Sequence, residues 1–370
     1  MKYHLLAFAC LLNLSMLFSQ THSHVGAQPF VFPNIEGYVT IKTDLHMHSV
    51  FSDGEVWPTI RVSEALRENL DAISLTEHLE YQPHKEDIPH PDRNRAYHLA
   101  LEEAKDHDLI IVPGSEITRS EPIGHSNAVF ITDANALNTT EAANAFSNAK
   151  QQGAFVFWNH PAWSSQSKTG NPILSDFQKE LIKKGELHGI EVINTFDYAE
   201  ESLEIALENN LTIMGTSDIH GLIDWDYTEK GNQRPITLVF AKEKSMESLK
   251  EALFDHRTVA VYNSLFVGRQ EFLNPLLKAC VKINSSNYID DTHILAIEIE
   301  NTSSSDLLLE NVTGFTFYSS PAIFTLKAGE KLTLQLKTLE KLDQTTLKLK
   351  ALGAYMAPKE HPIIEWDIKP

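Results

Sequence analysis

Residues 39–54 read VTIKTDLHMHSVFSDG, a β-rich run that leads into a polar segment with two histidines and an aspartate. The β-branched and apolar run at 39–45 predicts a strand, and His46 and His48 follow at its end. Side chains two positions apart on an extended segment point the same way. The two imidazoles can therefore bind one metal ion, and Asp53 follows close by as a further candidate ligand.

From residue 38 to about residue 266, short β-rich runs alternate with helical runs. Helix 59–69 and strand 72–75 are the first such pair after the opening strand. Apolar strands that alternate with helices predict a parallel sheet covered by helices. About seven units in a row favour an α/β barrel over an open sheet.

The pattern changes after about residue 274. Alternating or β-branched runs, separated by clusters of Asn, Ser, Asp and Gly, predict strands at 279–283, 293–300, 314–318, 331–336 and 345–351. We expect a small antiparallel β-sandwich here. The predicted domains are therefore a metal-dependent barrel over 28–273 and a β-sandwich over 274–370.

Residues 1–27 are typical of a secretory signal peptide. Lys2 supplies a positive charge, 5–18 is an apolar run, and 25–27 offers small residues for cleavage. A single membrane anchor and a lipoprotein cysteine at Cys10 are the alternatives. A secreted or periplasmic protein is expected, with no stable membrane insertion after leader removal. Cys280 is then the only cysteine, so no intrachain disulfide can form.

Charge and composition narrow the function further. The 370 residues carry 31 Lys and Arg against 50 Asp and Glu, a formal net charge of −19. Such an acidic chain is a poor partner for duplex nucleic acid or for an anionic membrane surface. It holds 17 histidines, which prompts a search for metal ligands.

Candidate ligands lie beside successive predicted strands. After His46, His48 and Asp53 they are His78 (in Thr76-Glu77-His78), Glu116, His125, His160 (in Asn159-His160-Pro161), Asp218 and His220. Each alone is weak evidence, because such residues also cap helices or lie in turns. Their recurrence at one end of the strands, where barrel enzymes build active sites, favours a metal site. The remaining histidines, His90 among them, are interpreted mostly as solvated.

Nine candidate donors exceed what one ion needs, so two or three divalent ions are expected. Mixed imidazole and carboxylate donors suit Mn or Zn, with Fe as an alternative.

This motif series resembles the PHP (polymerase and histidinol phosphatase) superfamily over roughly residues 38–266. The resemblance implies a distorted (β/α)7 TIM-like barrel and metal-dependent phosphoesterase activity. It also implies three ligand sets, namely His46, His48, Glu116 and Asp218; Asp53, His78 and His220; and Glu116, His125 and His160. Members often have Asp where this chain has Glu77, which leaves open whether Glu77 is a ligand or supports one. The leader and trailing sandwich are similar to those of secreted bacterial phosphodiesterases.

The predicted function is a secreted metal-dependent phosphodiesterase (EC 3.1.4-like) acting on small phosphate diesters. No Ser or Cys nucleophile motif is present, so direct attack on phosphorus by a metal-bridging hydroxide is expected. The expected catalytic residues are Asp53, His78, His160 and His220. The alternatives are a phosphomonoesterase for nucleotides or sugar phosphates on the same site, a non-catalytic binding module, and an amidohydrolase. Few basic residues flank the ligands, which favours the diester.

Substrate contacts are predicted from the loops near the ligands. Loop 79–94 is a candidate lid. The expected substrate-binding residues are Arg93, Arg95, Trp163, Asn194 and Tyr198, with Arg119 and Arg234 as weaker cations. Glu77 and Asn159 are expected to support the ligands.

Overall fold

A computed structural model describes residues 28–370, so the predicted signal peptide lies outside the described residues. The helices are α1 (Pro58–Arg67), α2 (Arg95–Ala104), α3 (Ala142–Gln151), α4 (Asp176–Lys184), α5 (Glu200–Glu208), α6 (Ile223–Asp226), α7 (Met246–Phe254) and α8 (Gln270–Cys280). Short 3₁₀ turns lie at Ala134–Leu137 and Thr228–Lys230. Among residues 28–370, no helix has the length and apolar character needed to cross a membrane.

Strands alternate with these helices and then dominate the C-terminal part. The first twelve are β1 (Val39–Met47), β2 (Ala72–Leu75), β3 (Ile110–Ile111), β4 (Gly114–Thr118), β5 (His125–Val129), β6 (Phe155–Trp158), β7 (Gly189–Asn194), β8 (Asp197–Tyr198), β9 (Thr212–Thr216), β10 (Ile236–Ala241), β11 (Thr258–Tyr262) and β12 (Leu265–Gly268). The C-terminal eight are β13 (Val281–Tyr288), β14 (Ile294–Asn301), β15 (Leu307–Asn311), β16 (Ile323–Leu326), β17 (Lys331–Lys337), β18 (Thr345–Ala351), β19 (Ala354–Tyr355) and β20 (Ile363–Ile368).

Two sheets form the α/β part. One has the order β19-β12-β11-β10-β1-β2-β3, and the other runs β4-β5-β6-β7-β8 with β9 paired to β7. The expected parallel pairing holds for β1–β2, β6–β7 and β7–β9, but β1–β10, β4–β5 and β5–β6 are antiparallel. The short link between β4 and β5 explains one exception, because a parallel pair needs a crossover of about a dozen residues.

The two sheets approach each other at the edge that carries the candidate ligands. Single bridges link Met47 to Ile219 and His78 to Glu116. Within residues 28–370 the paired strands do not close into a ring, so the structure is a mixed α/β fold and the TIM-like barrel remains a prediction. Because the bridges flank the ends of β1 and β2, they bring the side chains of both sheets together.

Local signals in the sequence position the helices around these sheets. Ser175, predicted as an N-cap, forms a capping box with Gln178 at the start of α4, and Gly185 ends this helix with φ +61°. Pro58 begins α1, where its missing N–H costs nothing. Phe155, Phe157 and Val239 pack in the fully buried core between the sheets.

The C-terminal part is the predicted antiparallel sandwich. Its sheets have the orders β13-β14-β17 and β16-β15-β18-β20. Burial alternates along β14, where Leu295, Ile297 and Ile299 are buried. Strands β15, β16 and β20 were missed by the sequence analysis, and the strand expected at 314–318 is reduced to one bridge between Phe317 and Leu336.

The two parts are joined by direct contacts. Strand β19 pairs in parallel with β12, and the rings of Tyr355 and Tyr198 stack with centroids 5.4 Å apart. The expected boundary after residue 273 falls inside α8, which leads directly into β13.

Candidate metal centre

The structure brings all nine predicted ligands into one cluster, which we call the donor cluster. Its donor atoms form four overlapping groups, each with atoms within 4.8 Å of one another. The groups are His48, Asp53, His78 and His220; His46, His160 and Asp218; His46, His48 and Glu116; and His78, Glu116 and His125.

Two carboxylates, the buried Glu116 and the partly buried Asp218, lie at the middle of this cluster. Glu116 Oε2 lies 3.3 Å from Nε2 of both His46 and His48, and Asp218 Oδ1 lies 3.1 Å from the same two nitrogens. Asp53 approaches from the loop after β1, with Oδ2 3.4 Å from His78 Nε2. The carboxylates can therefore bridge neighbouring cations, as expected for more than one ion.

Backbone strain accompanies two of these side chains. Asp218 has φ +51° and His160 has φ +28°, in the left-handed region that non-glycine residues rarely adopt. Such residues cost about 1–3 kcal/mol each and concentrate at functional sites. Both residues lie just after the end of a strand, and both side chains face the donor cluster.

Hydrogen bonds to Nδ1 hold five histidine rings. The Nδ1 partners are Glu191 Oε1 for His46 (2.7 Å), Ser52 Oγ for His48 (3.3 Å), Thr118 Oγ1 for His78 (2.6 Å), Gln166 Nε2 for His160 (2.9 Å) and the Asp218 carbonyl for His220 (2.8 Å). Each leaves Nε2 directed at the carboxylates. This arrangement is typical of metal-binding histidines, because the anchored nitrogen fixes the ring's orientation.

Glu191 is a site residue that the sequence analysis missed. It lies on β7, fully buried, and besides His46 it accepts from Thr216 Oγ1 at 2.5 Å and from the backbone N–H of His160 at 2.6 Å. One signal was available, since Glu191 is the charged residue within the apolar strand GIEVIN. Its carboxylate connects β1, β7 and β9 beneath the donor cluster.

His160 differs from the other anchored histidines. Gln166 Oε1 accepts from the indole N–H of Trp158 (3.2 Å), so its amide N–H group faces His160 Nδ1. A neutral His160 then carries its proton on Nε2. Binding a cation through Nε2 would require the Gln166 amide to turn over. His160 Nε2 lies 3.7 Å from Asp218 and 4.0 Å from Glu116. The resemblance groups His160 with Glu116 and His125, but in the structure its Nε2 is nearer to Asp218.

The residues present fit divalent cations. His48 Nε2, Glu116 Oε1 and His125 Nδ1 are buried and lack a hydrogen-bond partner within residues 28–370. His125 Nδ1 lies only 2.7 Å from Glu116 Oε1 without a hydrogen-bonding alignment. Buried polar atoms without partners are costly, and a cation between such donors removes that cost.

The ionisation of the cluster reflects the same crowding. Burial alone would lower the pKa of His78, but Glu116 and Asp53 outweigh it and raise this pKa to about 9. For Glu116 burial raises the pKa, yet the neighbouring His78, His125 and His46 hold it well below its ordinary value. Metal ions must therefore displace protons from histidine, so metal affinity should rise with pH.

Glu77 and Asn159 lie next to the ligands. Glu77 accepts from the Ser49 N–H at 3.1 Å and the Ser52 hydroxyl at 2.5 Å, and so holds the loop between His48 and Asp53. It belongs to none of the four donor groups. Asn159 Oδ1 accepts from the Asn127 N–H at 3.1 Å.

A cavity of about 380 Å³ opens onto the donor cluster, and we call it the donor cavity. Its wall includes Trp163 and Asn194, two of the predicted substrate contacts. Its lining, within the described chain, includes neither Arg93 nor Arg95, and Arg95 is exposed at the start of α2. Tyr198 lies outside this lining and stacks on Tyr355.

Two other residues differ from their expected environment. Arg234 is fully buried and paired with Asp44 and Glu68, so it is structural. His90 belongs to the set of histidines interpreted mostly as solvated, but it is buried. Its ring bonds to Gln82 and the Ile88 carbonyl within the same loop 79–94 and packs against Phe51.

The fold and the donor cluster define a metal-binding α/β enzyme with an appended β domain, and comparisons with known proteins agree. A two-domain protein from Bacteroides vulgatus, described as containing a predicted PHP-like metal-dependent phosphoesterase, is 39% identical with a TM-score of 0.85. The match covers 93% of this chain and 99% of the other. The chain therefore belongs to the PHP-like metal-dependent phosphoesterase family.

Other comparisons concern parts of the chain. The model of an Ig-like domain (DUF5001) matches residues 281–367, in agreement with the sandwich. An uncharacterized protein of Methanocaldococcus jannaschii is 34% identical over 84 residues, which span 22% of this chain and about a third (36%) of that protein. A Bifidobacterium adolescentis structure assigned as a metal-dependent phosphoesterase gives a TM-score of 0.39 at 17% identity, too low to support an argument.

Proposed function

We propose that this protein is a secreted metal-dependent phosphodiesterase that hydrolyses small phosphate diesters. The observation that carries the proposal is the charge of the donor cavity. The described residues that line it include no Lys or Arg, whereas Asp53, Asp218 and Asp226 are among them. A diester brings one negative charge and a monoester nearly two. With no basic side chain in the lining, the bound cations alone would have to balance the substrate's negative charge. The diester is favoured because it brings the smaller charge.

The donor cluster supplies the ligands that such an enzyme needs. We assign His46, His48, Glu116 and Asp218 to one ion and Asp53, His78 and His220 to a second, with Glu116 and His125 available to a third. Mn or Zn fits these mixed donors best, and Fe is the alternative. Divalent cations here would lower the pKa of a bound water toward neutrality and neutralise charge on the phosphoryl group.

The chain's own residues would position the substrate and stabilise the charge that develops on its oxygens. Neutral His160 presents its Nε2–H group toward the cluster, so it can donate a hydrogen bond to the leaving-group oxygen as the ester bond breaks, while keeping its proton. His220, about a third exposed, donates its Nδ1 proton to the Asp218 carbonyl at 2.8 Å, which would leave Nε2 free to bind the second ion beside Asp53. Asn194 and Trp163 would orient the ester at the cavity wall.

Secretion is the second part of the proposal. It rests on the sequence of residues 1–27, with its positive start, apolar run and small-residue cleavage pattern. The predicted site of action is the periplasm or the exterior of the cell. There the enzyme would meet free phosphate esters rather than duplex nucleic acid.

A matched pair of substrates tests the reaction. Bis-p-nitrophenyl phosphate and p-nitrophenyl phosphate share a leaving group and differ in charge. With Mn or Zn restored to chelator-treated protein, we expect kcat/KM to be about tenfold higher for the diester, which corresponds to about 1.4 kcal/mol. Asp218→Asn is the matched control, since it removes a donor and should abolish both activities. A clear monoester preference would favour the phosphomonoesterase alternative, and full activity without metal would contradict metal dependence.

A further inference from the structure

A second cavity adjoins the donor cavity. Its volume is about 590 Å³, and we call it the serine cavity because Ser120, Ser164, Ser165 and Ser167 line it. His125 and Trp163 belong to the walls of both cavities. A phosphate at the donor cluster therefore lies next to the entrance of the serine cavity, and one arm of a diester can extend into it past Trp163. The volume lies in the range of small-molecule sites.

The side chains that line the serine cavity are rich in hydroxyl groups. Besides the four serines it includes Thr118 and Gln166, and its described lining residues contain no Leu, Ile, Val or Met. Hydroxyl groups can both donate and accept hydrogen bonds, so they suit a partner that also carries hydroxyls. Thr118, Gln166 and Ser167 already hydrogen-bond within the protein. The hydroxyl groups that face a ligand are therefore those of Ser120, Ser164 and Ser165. A purely apolar arm would displace water from these three without replacing its hydrogen bonds, which is unfavourable.

Two exposed aromatic side chains complete the wall. Trp163 is 48% exposed and Tyr81 is 53% exposed, and both line the serine cavity. His125 and His160 hold the indole in place, with ring centroids 5.8 Å and 5.2 Å from it. A flat ring could bury apolar surface against the indole while its edges meet the hydroxyl groups.

The formal charges of the serine cavity cancel. Glu80 and Glu121 are balanced by Arg119 and Lys168. Arg119 is already engaged, with Nη2 2.8 Å from Glu80 Oε1 and Nη1 donating to the Thr140 carbonyl at 3.1 Å. The cavity therefore suits an uncharged group better than a second phosphate.

We infer that the serine cavity binds the non-leaving arm of the diester, and that this arm is an uncharged, polyhydroxylated ring such as a sugar or the sugar of a nucleoside. The inference rests on the proposed function and adds the substrate class. Trp163 would stack on the ring, and Ser164 and Ser165 would hydrogen-bond to its hydroxyl groups.

Four diesters with a common p-nitrophenyl leaving group test this inference; their second arms are methyl, phenyl, uridine linked through its 5′ oxygen, and glucose linked through its 6 oxygen. We expect kcat/KM for the uridine or glucose arm to exceed that for both the methyl and the phenyl arm by about tenfold or more, on the scale of one pocket contact. The uridine and glucose arms distinguish a nucleoside from a plain sugar. Trp163→Ala should reduce this preference, and Ser164→Ala with Ser165→Ala should reduce it less. Trp225→Ala, which removes an exposed indole outside both cavities, should leave it unchanged.

Calorimetric titration with uridine and methyl glucoside separates this inference from the proposed function. Binding of either compound that Trp163→Ala removes would support the serine cavity even if no diester were hydrolysed. Hydrolysis with equal rates for all arms, or with a preference for phenyl, would overturn the inference while leaving the diesterase intact. Failure of both compounds to bind wild-type protein would also count against it.

Discussion

The α/β part and the Ig-like part of this chain differ in what they bury. The α/β part buries charged or titratable side chains, including His46, Glu116, Glu191, Arg61 and Arg234. Among described residues 281–370, the buried polar side chains are neutral, and Asn301 and Thr338 are examples. Burying a charge is costly unless it is paired, so a domain that only needs to be stable avoids it.

Buried charge in the α/β part is itself of two kinds. Arg234 is neutralised by two carboxylates, Asp44 at 3.1 Å and Glu68 at 2.6 Å. Glu116, by contrast, faces only histidines within the described chain, and an imidazole carries a charge only when it is protonated. Arg234 Nη2 and Glu116 Oε1 both lack an aligned hydrogen bond within the described residues. The comparison therefore teaches that the kind of partner, rather than burial or hydrogen-bond count, distinguishes the metal centre from the structural core.

The largest expected effect comes from removing the central carboxylate. Glu116→Gln keeps the size of the side chain but deletes the charge that His46, His48 and His125 share. We expect kcat/KM to fall by about 10³-fold or more, about 4 kcal/mol of transition-state stabilisation. Metal content, measured by elemental analysis after purification without chelators, should fall by at least one equivalent.

The matched control lies in the Ig-like part. Glu298→Gln retains an acceptor for Asn284 Nδ2, now 3.2 Å from the carboxylate, and should change neither metal content nor kcat/KM. Equal metal loss in the two variants would contradict the distinction between the two regions.

A smaller effect is expected beneath the donor cluster. The two carboxylate oxygens of Glu191 accept four hydrogen bonds, from His46 Nδ1, Thr216 Oγ1, Asn194 Nδ2 and the His160 N–H. Glu191→Gln would turn an NH₂ group toward some of these donors. We expect metal affinity to fall about 10- to 100-fold, as is typical when the partner of a ligating histidine is lost.

Competition with a chromophoric chelator measures that affinity. Glu191→Asp keeps the negative charge and should show a metal affinity between those of wild type and Glu191→Gln. If the affinity fell only because the variants unfold, Glu191→Asp would lose as much affinity as Glu191→Gln. Unchanged affinity in Glu191→Gln would show that the ring of His46 is held by other contacts.

Much of the donor cluster could be predicted from the sequence because its residues follow strand ends. His46, His48 and Asp53 are adjacent in sequence, and strand geometry alone places the two histidines on one side. The nine predicted donors do come together in the structure. Their division among individual ions cannot be derived this way, because it depends on distances between separate strands.

What the sequence could not predict depends on contacts between distant elements. Glu191 lies in the middle of a buried strand, where its role follows only from its neighbours on β1 and β9. Tyr198 looks like a pocket residue from its position after β7, but the Ig-like part supplies Tyr355 to cover it. The predicted strand direction was wrong where β4 and β5 form a hairpin. Here a signal was available, because residues 119–124 contain no helix and are too few for a parallel crossover.

The smallest effect on the donor cluster is expected from the Ig-like core. Leu334 is fully buried on β17, opposite Ile297 on β14. Leu334→Ala should lower the free energy of unfolding by about 2–5 kcal/mol, because it removes buried methyl groups and leaves a cavity. Metal content and kcat/KM at 25 °C should stay within about twofold of wild type, since the closed core of the sandwich supplies no donor to the cluster. Thermal unfolding followed by circular dichroism, with metal analysis on the same sample, measures both quantities. Metal loss from protein that remains folded would mean that the Ig-like part shapes the centre through β19 and Tyr355, and the two regions would then have to be treated as one functional unit.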